Sequence, residues 1–127
     1  MVQLLANLPD GGEAMSQPWD SFRKSWIQVA GEVHQTAVDK GFWDGTRNNA
    51  ELIALMHSEL SECLEALRLD NPRSTKIPIF TEAEEELADL VIRVMDAAMA
   101  NGWDVGGAIE AKTRYNKDRP YKHGKAF

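Results

Sequence analysis

Hydrophobic residues recur every three or four positions through most of this chain, which is the spacing that places them on one face of a helix. The pattern predicts four helices, over about residues 18–40, 48–69, 81–100 and 105–117. Thr81 and Glu84 have the spacing of a capping box at the start of the third helix, and Gly41 and Gly102 suit the ends of the first and third. No strand pattern and no internal repeat stands out. The predicted fold class is therefore all-α, with a four-helix core.

The predicted organisation is a single domain, because 127 residues suffice for one compact core but not for two. We assign residues 1–15 to a flexible N-terminal arm and residues 16–127 to one all-α domain, which ends in a basic tail after Pro120. The expected apolar stripe of the first helix is Phe22, Trp26, Val29, Val33 and Ala37. The third helix is apolar around most of its circumference, and such a helix packs on more than one side. We therefore expect a homo-oligomer, either a dimer or a tetramer.

The acidic composition of the chain limits its partners. A net charge of −6 and a pI of about 5.0 argue against a nucleic-acid partner held on a broad basic surface. A nucleotide is still compatible, because a bound cation can invert the local charge. The single cysteine, Cys63, allows no intrachain disulfide and is interpreted as a buried apolar residue. Without a run of ~20 apolar residues or a secretory signal, we expect no membrane partner and a cytoplasmic location.

Two acidic pairs, each spaced i and i+3, are the main candidates for chemistry. Glu59 and Glu62 lie in the second predicted helix, and Glu86 and Asp89 lie in the third. Each pair projects from one side of its helix, and Glu59 falls inside the apolar arc, where an unpaired carboxylate is costly to bury. Four carboxylates brought together repel one another unless a cation lies between them. Oxygen ligands favour a hard divalent ion, so we predict a site for Mg²⁺, with Mn²⁺ as a substitute.

The acids of the third helix also have a simpler interpretation. Its one polar stripe consists of Glu86, Asp89, Arg93 and Asp96. This stripe suits a solvent-exposed face that carries an Asp89–Arg93 ion pair at i and i+4. Acids in the first turn of a helix favour its dipole and need no further role; here they are Glu82, Glu84 and Glu85. The polar stripe therefore allows either a metal site or an exposed face.

The ordered acidic pairs, together with the LADL segment, the Lys112/Asn116 spacing and the RPYKHG tail, resemble those of the MazG-like all-α nucleoside triphosphate pyrophosphatases of small bacterial and phage type. The signature of that family is EExxE, a spacer, and then ExxD. Glu59 and Glu62 match the last two acids of the first element, and Glu86 and Asp89 match the second. The first glutamate of the signature falls on Ser58, where this chain departs from the pattern. The resemblance covers about residues 41–127.

The resemblance implies a four-helix core and a magnesium-dependent reaction. In that reaction a metal-activated water attacks the α-phosphorus of a ribo- or deoxyribonucleoside triphosphate and yields a nucleoside monophosphate and pyrophosphate. The catalytic and metal-binding residues would be Glu59, Glu62, Glu86 and Asp89. Lys112 and Asn116 share one face of the fourth helix and match positions near the nucleotide. Arg119 is a candidate for a bidentate phosphate contact, and Trp43 for stacking on the base.

Two other functions compete with this hypothesis. One is a carboxylate-bridged iron or manganese bundle, but such sites normally carry Glu-x-x-His. Neither acidic pair has that form, because position 62 is glutamate and position 89 is aspartate. The other is a non-catalytic helical interaction module whose acids form a solvated stripe. The inward direction of Glu59 counts against this second alternative.

Overall fold

A computed structural model describes residues 17–127, and this part of the chain is helical. The four helices are α1 (Gln17–Asp39), α2 (Asn49–Arg68), α3 (Glu82–Asn101) and α4 (Val105–Lys117), followed by a short 3-10 turn at Tyr121–Gly124. Within residues 17–127 there is no β-strand, only one isolated bridge between Arg73 and Thr81. The all-α prediction is confirmed, and each predicted helix boundary lies within about one residue of the observed one. The predicted N-terminal arm, residues 1–15, lies outside the described residues.

Side-chain caps explain where the helices begin. The Thr81 hydroxyl accepts a hydrogen bond from the backbone N–H of Glu84, and the Glu84 carboxylate accepts one from the N–H of Thr81, so the predicted capping box is formed. Helices α2 and α4 have simpler caps: the Asn48 side chain accepts from the N–H of Glu51, and the Asp104 side chain accepts from the N–H of Gly107. Gly102 ends α3 with a left-handed φ of 70°, a conformation that glycine adopts without strain.

Helix α3 is the centre of the fold, because it packs against both α2 and α1, whereas α4 packs mainly against α1. The buried apolar side chains are mostly small: Ile27, Ala30, Leu52, Cys63, Ala66, Ala83, Met95, Ala97 and Ala98. Small side chains let helix backbones approach closely. The buried state predicted for Cys63 is confirmed. This close packing of α2 and α3 brings the two acidic pairs towards each other.

The predicted apolar stripe of α1 is wrong at Val29, which is 48% exposed. The buried residues of α1 are instead Arg23, Ile27 and Ala30, which lie at i, i+4 and i+7. The neighbouring helices thus cover a face rotated slightly from the one that the hydrophobic pattern favoured. A broad apolar arc does not tell which part of it the neighbours will cover, so spacing alone could not place the contact.

Several large apolar side chains of α2 and α3 are uncovered in the single chain. They are Leu60, Leu64, Leu67, Leu87, Val91 and Ile92. An exposed apolar surface of this kind is typical of a contact between proteins. The homo-oligomer stays a prediction. None of the described helices is both long enough and apolar enough to cross a membrane.

The connection between α2 and α3 is fixed by its own hydrogen bonds. Ser74 is buried, and its hydroxyl accepts from the backbone N–H groups of Lys76 and Ile77 at 3.1 and 3.0 Å. The Asn71 side chain accepts from the N–H of Ala83 at 3.0 Å, which satisfies one of the free donors at the start of α3. These bonds tie the connection to the first turn of α3, close to the acidic residues.

Candidate functional site

Three of the four predicted site carboxylates meet at the interface of α2 and α3. One carboxylate oxygen from each of Glu59, Glu62 and Glu86 lies within 4.8 Å of the others. Glu59 is buried, as its position on the apolar arc predicted, while Glu86 is half-buried and Glu62 is exposed. We call these three residues the carboxylate cluster. Asp89 lies beside the carboxylate cluster, in the wall of a neighbouring cavity.

Two members of the carboxylate cluster, Glu62 and Glu86, hold their protons more tightly than isolated carboxylates do. Burial, a hydrogen bond to Glu59, and the negative charges of its neighbours raise the pKa of Glu86 from 4.5 to about 7. The pKa of Glu62 is raised chiefly by its hydrogen bond to Glu59, and that of Asp89 by burial and then by the charge of Glu59. The site therefore carries more negative charge than the protein neutralises. Three carboxyl groups at this spacing could hold a hard divalent cation.

Arg93 is the counterion of Glu59. Its Nε donates to Glu59 Oε1 at 2.5 Å. Burial favours the neutral form of Glu59, but the hydrogen bonds with Arg93, Glu62 and Glu86, together with the charge of Arg93, outweigh it, so the pKa of Glu59 is lowered. The simpler interpretation of α3 offered an Asp89–Arg93 ion pair; Arg93 instead pairs with Glu59, and only its charge acts on Asp89. The reason is that the long arginine side chain reaches the neighbouring helix, where a buried glutamate needs a counterion more than the half-buried Asp89 does.

A cavity of about 320 Å³ opens beside the carboxylate cluster. Its polar and charged walls come from Thr36, Lys40, Arg47, Glu59, Asp89, Arg93 and Asp96, and its apolar walls from Val33, Ala37, Phe42 and Ile92. A second hollow of about 440 Å³ shares Phe42, Arg47 and Arg93 with the cavity and extends towards Leu55. Apolar walls with a few convergent charged groups are typical of a small-molecule site.

Asp96 organises the end of the cavity away from the carboxylate cluster. It is buried, accepts a hydrogen bond from Trp43 Nε1 at 2.9 Å, and contacts His34 Nδ1 at 2.7 Å. Arg47 lies 3.8 Å from Asp96, and its guanidinium stands 4.9 Å from the centre of the Trp43 ring. Sequence reasoning placed Asp96 on the polar stripe but missed these partners. Trp43, the predicted base-stacking residue, is held in a defined position by the hydrogen bond from its indole N–H to Asp96 and by its contact with Arg47.

The predicted nucleotide residues near the C-terminus do not line the cavity of the single chain. Lys112 Nζ lies 4.5 Å and the Arg119 guanidinium 5.7 Å from the centre of the Tyr115 ring. Asn116 Oδ1 is buried and has no hydrogen-bond partner among residues 17–127. The two cations and Asn116 thus share one region around α4, while the carboxylates share another on α2 and α3.

Glu85 differs from the expectation that acids in the first turn of α3 need no further role. It is buried, the Ser74 hydroxyl donates to it, and Lys76 Nζ lies 3.1 Å away. These two contacts lower the pKa of Glu85, and Glu85 in turn raises the pKa of Lys76. The positive charge of Lys76 also acts on Glu86 and Asp89. Lys76 is a cation of the site that the sequence pattern gave no reason to single out.

A comparison of the chain with protein-family models, with curated proteins and with solved structures finds no match in any of the three. Residues 17–127 define the class of the protein as all-helical, with a carboxylate cluster that could hold a cation beside a partly apolar cavity.

Proposed function

We propose that this protein is a magnesium-dependent nucleoside triphosphate pyrophosphohydrolase. The observation that carries the proposal is the convergence of Glu59, Glu62 and Glu86 with a surplus of negative charge. The order of the acids along the chain, which resembles that of MazG-like pyrophosphatases, points to the same reaction. The substrate would be a ribo- or deoxyribonucleoside triphosphate, and the products the monophosphate and pyrophosphate.

The carboxylate cluster would hold the cation, with Asp89 beside it. An oxygen-only donor set suits Mg²⁺, and Mn²⁺ as its substitute. When bound, the cation would neutralise triphosphate charge and lower the pKa of a water ligand. Lys40 and Arg47 in the cavity wall add positive charge for the phosphates. The apolar wall around Phe42 would exclude water from the bound substrate and offer a surface for the base.

The proposal includes a homo-oligomer. Lys112, Asn116 and Arg119 do not reach the cavity of their own chain, so a second copy would have to bring them there. The exposed leucines of α2 and the apolar residues of α3 offer the contact surface. Light scattering at micromolar concentration tests this assembly. A fully active particle with the 14.2 kDa mass of one chain would contradict it.

The reaction is tested by incubating the protein with Mg²⁺ and a panel of ribo- and deoxyribonucleoside triphosphates. Monophosphate and pyrophosphate are measured separately from orthophosphate, because cleavage at the γ-phosphorus would release orthophosphate and a diphosphate. We expect equal amounts of monophosphate and pyrophosphate, and none when the cation is chelated. Absence of pyrophosphate with every nucleotide would refute the proposal.

A further inference from the structure

Arg93 joins the carboxylate cluster to the cavity. Its Nε is bound to Glu59, while its side chain, 35% exposed, lines both the cavity and the second hollow. The two terminal nitrogens of the guanidinium make no hydrogen bond to any residue in the 17–127 range. Arginine has five N–H donors, so one is engaged with the carboxylate cluster and the others are available to a ligand.

The charges around Glu59 make Arg93 the built-in counterion of the site. Glu62 on α2 and Glu86 and Asp89 on α3 all add negative charge. The other nearby cation, Lys76, is paired with Glu85. A divalent ion bound by the carboxylate cluster must therefore compete with Arg93 for the Glu59 carboxylate.

The second arginine of the cavity is held differently. Arg47 is placed between Asp96 and the ring of Trp43, away from the carboxylate cluster. Of the two arginines that line the cavity, Arg93 is the one that also contacts the carboxylate cluster. Its planar guanidinium fits two oxygens of one phosphate group, which a lysine ammonium does not.

We propose that Arg93 changes partner during the proposed reaction: it neutralises Glu59 in the cation-free protein and binds a phosphate group of the substrate once a cation occupies the carboxylate cluster. The inference rests on the proposed function and adds a phosphate-binding residue to it. It also explains how the chain folds with Glu59 buried when no cation is present.

The test uses Arg93→Gln and two binding measurements that need no turnover. Titration calorimetry with Mn²⁺ alone measures cation affinity, which should rise about tenfold because a competing positive charge is removed. Calorimetry with inorganic tripolyphosphate, at a Mg²⁺ concentration that saturates both proteins, measures phosphate affinity. It should fall about tenfold, because a charge-assisted hydrogen-bond pair is lost. A merely misfolded variant would lose both affinities, whereas the inference requires opposite shifts.

Two further variants control the experiment. Arg114 also donates its Nε to a buried glutamate, Glu110, at 3.0 Å, but it does not line the cavity. Arg114→Gln should therefore leave both affinities unchanged. Arg93→Lys keeps the positive charge but loses the two parallel N–H donors of the guanidinium. Its Mn²⁺ affinity should therefore stay close to that of the unchanged protein, while its tripolyphosphate affinity falls.

The outcomes separate this inference from the proposed function. If Arg93→Gln leaves Mn²⁺ affinity unchanged or lower, Arg93 is not the competing counterion. If tripolyphosphate affinity is unchanged, or the unchanged protein does not bind tripolyphosphate, Arg93 is not a phosphate-binding residue. If both shifts occur but no nucleotide yields pyrophosphate, the proposed reaction fails and the two binding roles of Arg93 stand.

Discussion

Two buried glutamates, Glu59 and Glu110, are 5% and 4% exposed but have opposite surroundings. Glu110 is held by two arginines, Arg23 and Arg114. Glu59 has one arginine and contacts two further carboxyl groups, Glu62 and Glu86. Burial of an acid is therefore not what distinguishes a candidate site. What distinguishes it is that the protein leaves the acid short of positive charge.

The other two acids buried in the described part of the chain resemble Glu110. Glu85 has Ser74 and Lys76 as partners. Asp96 is contacted by His34, Trp43 and Arg47. Among these four buried acids, Glu59 is the one with more carboxylate neighbours than cationic ones. A cation from solution would therefore be attracted most strongly to this region. Strongly perturbed carboxylates at a cavity are typical of functional sites.

Glu59→Gln should have the largest effect on function. We expect turnover to fall by about a thousandfold or more, beyond the hundredfold loss seen when a residue merely supports a metal ligand. The thermal midpoint should change little, because relief of the repulsion from Glu62 and Glu86 offsets part of the lost attraction to Arg93, and the amide oxygen still accepts from Arg93. Pyrophosphate release and thermal unfolding are measured on the same sample. Near-normal turnover at saturating Mg²⁺ would remove Glu59 from the site.

Glu110→Gln should lower the stability of the protein and leave its turnover unchanged. Breaking a buried ion pair leaves arginine charge without a full partner, so the free energy of unfolding should fall by about 3 kcal/mol. Turnover at a temperature where the variant is folded should match that of the unchanged protein. Urea unfolding gives the first quantity and pyrophosphate release the second. If turnover falls as it does in Glu59→Gln, the contrast between the two glutamates is wrong.

The cation-free protein should lose stability as the pH rises from about 4.5 to 7. Glu86 has its pKa raised from 4.5 to about 7, so the folded state holds its proton more tightly than the unfolded state does. This contribution is fully present below pH 4.5 and is lost as the pH passes through 7. After solvent screening we expect a loss of about 1–2 kcal/mol.

Glu86→Gln and Mg²⁺ provide the controls for this pH effect. The variant has no proton to lose and should flatten the decline, while Mg²⁺ should oppose it by binding the ionised carboxylates. Thermal midpoints measured from about pH 5 to about pH 8 cover most of this decline and suffice for the comparison. An equally steep decline in Glu86→Gln would assign the effect to other groups.

Lys112→Ala and Asn116→Ala should have the smallest effects. If a second copy brings these residues to the cavity, each should raise KM for the nucleotide about fivefold, the scale of one lost hydrogen bond. Mn²⁺ affinity should be unchanged, because neither residue contacts the carboxylate cluster. Steady-state kinetics and calorimetry give the two values. Unchanged KM in both variants would make α4 a structural helix only.

Much of the fold followed from the sequence because its determinants are local. The capping box at Thr81 and the glycine at 102 fix the ends of α3 through neighbours within a few residues. The inward direction of Glu59 followed from the helical period alone. By contrast, the partner of Arg93 lies 34 residues away on another helix. Spacing along one helix offers Asp89 as a partner at i and i+4 and cannot weigh it against a buried acid on another helix.

The same limit applies to Glu85 and Asp96. Both sit at positions that are typical of exposed acids, in the first turn of a helix and on its polar stripe. Their burial is decided by Ser74, in the connection before α3, and by Trp43, near the end of α1. Such partners become visible only when the tertiary packing is known, because hydrogen-bond satisfaction of a buried group depends on what surrounds it.

The polar stripe of α3 also has a fixed length, because it lies along one rigid helix. From Glu86 to Asp96 it spans ten residues, or about 15 Å at the helical rise of 1.5 Å per residue. An ion the size of orthophosphate can contact one end of this stripe at a time. With a cation in the carboxylate cluster, as proposed above, an elongated molecule with negative charge at one end and hydrogen-bonding groups at the other would reach both the cluster and Asp96. Under that proposal the rigid helix would select ligands by length as well as by charge.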